Sequence, residues 1–172
     1  MATLILLRHG QSSWNLENRF TGTVDVDLSL QGELEASRAA AVLKPFTIDI
    51  AYSSVLKRAI HTLEIIIDRN NLSIPVIQDS SLNERDYGDL QGLDKTETAQ
   101  RFGSDQIQLW RRGYDITPPN GESLKETFNR VIPYYHAEIE MQLTAGKTVL
   151  MSRTAIAACA HDVPGRNERK GN

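Results

Sequence analysis

Thr3-Leu4-Ile5-Leu6-Leu7-Arg8-His9-Gly10-Gln11-Ser12 is the stretch on which the fold turns. A short apolar run of β-forming residues suits a buried strand, and it runs directly into Arg-His-Gly. Residues 11–28 are polar and loop-like, with Gly22 as a breaker. Ser29 can cap a helix whose apolar face is Leu30, Leu34, Ala41 and neighbouring alanines, through Leu43. Pro45 ends it. Ile48 to Tyr52 reads as a second strand, followed by Ser53 and Ser54 and a helix from about Val55 to Asp68 that buries Ile60, Leu63, Ile66 and Ile67. Ile74 to Ile77 is a third strand. Two helices are predicted between Lys95 and Arg112, and Ser123-Leu124-Lys125-Glu126 is a capping box. Leu124, Phe128, Val131, Tyr135 and Ile139 then mark a helical stripe, with a kink expected at Pro133. Thr148 to Met151 is a fourth strand. Strands alternating with helices predict a three-layer αβα domain around a mostly parallel sheet.

Composition agrees with one domain of 172 residues. Apolar residues make up 40%, enough for a core, and charged residues 24%, which excludes a disordered chain or a fibre. No apolar run approaches the roughly 20 residues of a membrane helix. The start carries neither a basic n-region nor a cleavage site, so no secretory leader is expected. The lone Cys159 leaves no internal disulfide or cysteine-rich zinc site. These features predict a cytoplasmic protein. The net charge of −3 argues against nucleic acid as a partner. It is unevenly spread: residues 153–172 hold four Lys/Arg against two Asp/Glu, so +2, leaving −5 for the first 152.

Four clusters could do chemistry. Arg8-His9-Gly10 stands at the C-terminal end of the first strand, the edge where open α/β sheets bind ligands. Neutral imidazole is a competent nucleophile there, and an adjacent guanidinium can hold phosphoryl oxygens with its planar fork. An isolated Arg-His-Gly equally suits a solvent-exposed loop. Lys57-Arg58 puts a basic pair at a helix N-terminus, where the dipole favours anions, although such pairs are commonly a solvated face. Glu84, in Asn83-Glu84-Arg85-Asp86-Tyr87-Gly88, can serve as general acid or base. Arg111-Arg112 can clamp a phosphate or carboxylate, or close a solvated helix end. Basic residues gathered on an acidic chain suit a small, strongly anionic substrate. With no P-loop, no Gly-x-Gly-x-x-Gly and no metal-ligand cluster in the sequence, the set points to phosphoryl transfer through histidine, without nucleotide or metal.

Over residues 3–151 the chain resembles the cofactor-dependent phosphoglycerate mutases of the histidine phosphatase superfamily. The resemblance rests on Arg8 to Asn15, Asn18 to Gly22, Asp25 to Leu28, Ser54 to Thr62, Leu82 to Arg85, Tyr87-Gly88, Leu90 to Leu93 and Trp110 to Gly113. Arg-His-Gly alone marks the superfamily; Leu-Lys-Arg-Ala-Ile-His-Thr and Trp-Arg-Arg-Gly mark the mutase branch. The resemblance implies that His9 is the phosphohistidine and Glu84 the proton donor and acceptor. It implies that Arg8 and Arg58, aided by Asn15, bind the phosphoryl group in transit. Thr21, Gly22, Tyr87, Lys95, Arg111 and Arg112 would hold the rest of the phosphoglycerate, and Ser12 would line the pocket. The implied reaction interconverts 3-phosphoglycerate and 2-phosphoglycerate in glycolysis and gluconeogenesis. 2,3-Bisphosphoglycerate serves as phosphoryl primer, and no metal takes part. The expected partners are small-molecule phosphoglycerates, with neither nucleic acid nor membrane; a homo-oligomer is compatible.

Two departures are small: a short stretch between Pro119 and Ser123, and Asp86 where a larger residue is usual. The third is large. The family's last core strand runs into Ala-His-Gly-Asn-Ser-Leu-Arg-Ala, which supplies a second active-site histidine. Here the strand runs into Ser152-Arg153-Thr154. Arg153 to Ala157 can be encoded CGC ACG GCA ATA GCN, and from the third base this reads CAC GGC AAT AGC, or His-Gly-Asn-Ser. The expectation is therefore a mutase-like domain over 1–152, C-terminally incomplete, and a frameshifted, disordered tail over 153–172. Loss of the second histidine would impair phosphoryl transfer. A broad phosphomonoesterase of the same superfamily, or an inactive remnant that binds phosphoglycerate, are the alternatives.

Overall fold

The computed structural model describes residues 2–153. Strands β1 (Thr3–Arg8), β2 (Ile50–Ser53), β3 (Val76–Gln78) and β4 (Thr148–Arg153) form one all-parallel sheet in the order β1-β4-β2-β3. The last strand thus inserts between the first two, and its register pairs Leu7 with Ser152 and Arg8 with Arg153. The described residues end just past the expected domain boundary at 152, and the tail beyond it lies outside them, apart from the backbone of Arg153.

Side chains of the central strands alternate between two layers, as the two-residue period of a strand requires. Ala51 and Leu150 face α2 (Leu30–Leu43) and α3 (Lys57–Asn70), packing on Ala40, Leu43, Leu63 and Ile66. Ile50, Tyr52, Val149 and Met151 face the opposite way, onto Val131 and Ile139. Strands buried on both faces read as continuous apolar runs, which is why β2 and β4 stand out in the sequence. The architecture is the expected αβα sandwich.

Boundaries move for local reasons. Ser12 nucleates an extra turn, α1 (Ser13–Leu16), inside the stretch read as loop, through a reciprocal capping box with Asn15. The third helix begins at Lys57, because its N–H donates to Asp25 Oδ1 at 2.7 Å and Leu56 stays extended. It runs to Asn70 and closes on left-handed Asn71. After β3 come α4 (Lys95–Phe102), α5 (Ser104–Arg112) and α6 (Leu124–Tyr134). Pro133 does not break α6: the chain widens into a π-helical turn over Tyr135–Ile139, then re-forms as α7 (Glu140–Thr144). A wide turn tolerates the missing proline N–H and keeps Ile139 on the sheet, fully buried.

The loop leaving β1 is pressed onto the start of α2. A Cβ on Gly10 would lie 2.2 Å from the Gly32 carbonyl oxygen, and one on Gly32 would lie 2.1 Å from that of Gln11. Two glycines therefore set how closely His9 approaches α2. Gly32→Ala should destabilise the fold by about 1–3 kcal/mol, the usual cost of overpacking rigid backbone. A urea denaturation midpoint equal to wild type would contradict that close approach.

Candidate active site

The C-terminal end of β1, the loops after β1 and β3, and residues of α4 and α5 enclose a cleft of about 510 Å³, counted to its open mouth. Its wall is Arg8, His9, Asn15, Phe20, Thr21, Gly22, Glu84, Tyr87, Lys95 and Arg111. The cleft extends past Arg8, His9, Asn15 and Lys95 toward Gln11 and Glu35. Nine of the residues singled out in the sequence meet here. Three do not form the wall: Ser12, Arg58 and Arg112. Ser12 is buried, its hydroxyl occupied in accepting the Asn15 N–H at 3.2 Å. Arg58 sits behind the wall. Arg112 closes α5 beside Arg111 but does not line the cleft. Phe20 was missed because a single aromatic in a polar loop carries no periodic signal. It stacks on Tyr87, centroids 5.3 Å apart, over a small core with Leu90 and Ile107.

His9 is held by its backbone neighbour. Its Nδ1 lies 2.7 Å from the Gly10 carbonyl oxygen. A carbonyl can only accept, so Nδ1 carries the proton and the neutral ring's lone pair is on Nε2. Nε2 is 3.6 Å from Glu84 Oε2. The Gly10 N–H donates to Thr62 Oγ1 at 3.1 Å, and that hydroxyl donates to the Arg58 carbonyl at 2.7 Å, which ties the histidine loop to α3.

Arg58 is fully buried. Its guanidinium donates to the Gly22 carbonyl at 2.7 Å, the Val24 carbonyl at 2.9 Å and Glu84 Oε2 at 2.8 Å. Burial pushes the Glu84 carboxyl up, but hydrogen bonding to His9, for which Nε2 must carry a proton as well as Nδ1, and the charge of Arg58 outweigh it and hold the pKa below the usual carboxylate range. Lys95 is pushed down, first by burial and then by the Arg111 guanidinium. Crowded cations on one wall and the buried Thr21 hydroxyl, unpartnered among the described residues, are the donors an incoming phosphoryl dianion would satisfy. Two other histidines are described: His61 pairs with Asp27 and His136 with Glu140, and neither lines the cleft. Among the described residues no cluster of His, Cys, Asp and Glu could hold a metal ion, and no helix is long and apolar enough to cross a membrane.

The lowered pKa of Glu84 has a sign that can be measured. Its ionic contacts stabilise the fold fully above the unfolded value, roughly pH 4.3, and are lost as pH falls through the lower folded value. Wild type should therefore lose stability below that pH more steeply than Glu84→Gln; parallel melting-temperature curves would refute the pairing.

The family model described as histidine phosphatase superfamily (branch 1) matches residues 4–166. The chain is 54% identical over 151 residues to the 2,3-bisphosphoglycerate-dependent phosphoglycerate mutase of Cytophaga hutchinsonii, covering 88% of this chain and 71% of that one. It is 49% identical over 180 residues to the protein of the same name from Nitratidesulfovibrio vulgaris, covering 88% and 72%. Among solved structures it is similar to a mycobacterial glucosyl-3-phosphoglycerate phosphatase in complex with VO3, with TM-score 0.79, 30% identity, and 91% of this chain and 79% of that one covered. It is also similar to Bacillus stearothermophilus YhfR, with TM-score 0.80, 28% identity, and coverage of 95% and 82%.

Proposed function

We propose that this chain, which belongs to the histidine phosphatase superfamily (branch 1), is a 2,3-bisphosphoglycerate-dependent phosphoglycerate mutase. It interconverts 3-phosphoglycerate and 2-phosphoglycerate. The observation that carries the reading is the His9–Glu84 pair, with Nδ1 committed to a carbonyl and Nε2 facing the carboxylate 3.6 Å away. The names of the relatives support the substrate. The single cysteine fits a reducing cytoplasm.

In this reading His9 Nε2 attacks phosphorus, the N–P bond forms and the ester O–P bond breaks. The leaving oxygen takes its proton from the Glu84 carboxyl. In the return half, the carboxylate removes a proton from the accepting hydroxyl, whose oxygen attacks the phosphohistidine. A depressed pKa suits the second role. For the first, the added negative charge of the substrate raises the pKa of Glu84 when it is needed as an acid. Arg8 and Asn15 would hold the phosphoryl oxygens, with Arg58 orienting Glu84 from behind. Thr21, Gly22, Tyr87, Lys95 and Arg111 would hold the rest of the phosphoglycerate. Ser12 and Arg112 would support this wall from outside it. 2,3-Bisphosphoglycerate supplies the first phosphoryl group, and the cationic cleft suits its charge. No metal is required in this scheme. Positioning and electrostatics supply the acceleration.

The site has one histidine among its described residues, where the family pattern calls for two. One missing transition-state donor costs on the order of 10²–10³-fold, so turnover well below that of a complete pair is expected.

The test is incubation with 3-phosphoglycerate and 2,3-bisphosphoglycerate, following 2-phosphoglycerate, free phosphate and label on His9. Mutase product is expected, and Glu84→Gln should lower it by about 10²–10⁴-fold, the range for one general acid–base group. Phosphate without 2-phosphoglycerate would replace the reading with a phosphomonoesterase. Absence of both products and of label would leave an inactive binding remnant.

A further inference from the structure

The backbone at Glu84 has support from a residue that lies outside the cleft. Arg130, on α6, points its guanidinium at the segment that leads into Glu84. Nη1 donates to the carbonyls of Ser81 at 2.9 Å, Asn83 at 3.2 Å and Ser80 at 3.3 Å, and Nη2 approaches that of Glu84 at 3.5 Å. One fork therefore gathers the carbonyls of a short 3-10 turn (Ser80–Leu82) and the extended residues after it.

The fork is itself fixed. Glu122 receives Arg130 Nε at 3.1 Å on one oxygen and Nη2 at 2.9 Å on the other, a two-pronged geometry that fixes the plane of the guanidinium. The same carboxylate accepts the Asp86 N–H at 3.2 Å, while the Glu122 N–H donates to the Asp86 carbonyl at 2.9 Å. Glu84 is thus held from both sides in sequence, by Arg130 at 80–84 and by Glu122 at Asp86.

We propose that Arg130, locked to Glu122, is a positioning residue for Glu84: it sets the backbone from which the carboxyl reaches His9 and the leaving oxygen. The proposal rests on the reading of Glu84 as proton donor. It assigns Arg130 no contact with substrate. Its loss should weaken proton delivery rather than phosphoryl binding.

Leaving-group dependence separates these effects. When His9 takes a phosphoryl group from an alkyl ester such as 3-phosphoglycerate or 2,3-bisphosphoglycerate, the departing oxygen must be protonated. From 2,4-dinitrophenyl phosphate it departs as a stable phenolate and needs no proton. The experiment is single-turnover labelling of His9 from both donors, in wild type, Arg130→Met, Arg130→Lys and Glu84→Gln.

Arg130→Met should slow labelling from the alkyl donor by on the order of 10²-fold, the effect of a displacement of about 1 Å at the reacting group, and from the dinitrophenyl donor by less than about threefold. Glu84→Gln should show the same split more strongly. Arg130→Lys, which keeps the charge without the fork, should show it more weakly, and it decides the matter if circular dichroism shows that Arg130→Met does not fold. Equal losses on both donors, or no loss on either, would overturn the positioning role. A wild-type chain that labels from neither donor overturns the functional reading, and this proposal falls with it.

Discussion

A buried guanidinium organises the molecule. Arg58 lies fully inside the protein, where a charge is costly unless paired and hydrogen-bonded; both its Nη groups are, while Nε has no hydrogen-bond partner among the described residues. Its partners are two carbonyls of the loop at Gly22 to Val24 and the carboxylate of Glu84. These segments lie sixty or more residues apart in sequence and have no strand pairing between them. The need to satisfy one cation draws them to the same point. Once there, the Gly22 loop becomes one wall of the cleft and Glu84 the other, with His9 between. Removing Glu84's charge would leave Arg58 on carbonyls alone, so the fold and the site share this interaction.

The sheet supplies the second constraint. Because β4 inserts between β1 and β2, the C-terminal ends of β1 and β2 are spread by one strand, about 4.8 Å on each side. β4 fills that space, reaching level with Arg8 at Arg153, and the cleft lies beyond the C-terminal end of β1, the edge where open parallel sheets bind ligands. His9 stands at its lip because β1 ends at Arg8, and the Gly10–Gly32 contact stops the loop from drifting toward solvent.

Much of this was legible in the sequence, and the remainder had a reason to be hidden. The buried strands read clearly because both faces are apolar, and Ser123-Leu124-Lys125-Glu126 read clearly because a capping box is a local motif. His9 and Glu84 stood out as chemical groups in loops after strands. Strand order did not, since an apolar run says nothing about its neighbours. Arg58 read equally well as a solvated helix face, and only tertiary structure puts it at the centre. Ser12 resembled a pocket residue because its hydroxyl is as good a cap as a ligand. Arg130 falls within the stripe of α6 as an unremarked polar residue; nothing in spacing alone shows that it reaches back some fifty residues to the carbonyls of Ser80 and Ser81.

The charge pattern of the cleft explains how an acidic chain can bind a polyanion. The net charge of −3 acts through solvent and is screened within about 10 Å at ordinary ionic strength. Within the cleft the balance is reversed: Arg8, Lys95 and Arg111 face a single carboxylate, Glu84. Burial and the Arg111 guanidinium lower the pKa of Lys95. A bound phosphoryl group would raise the proton affinity of both Lys95 and Glu84. On the proposed reading, the same event readies Glu84 to act as general acid.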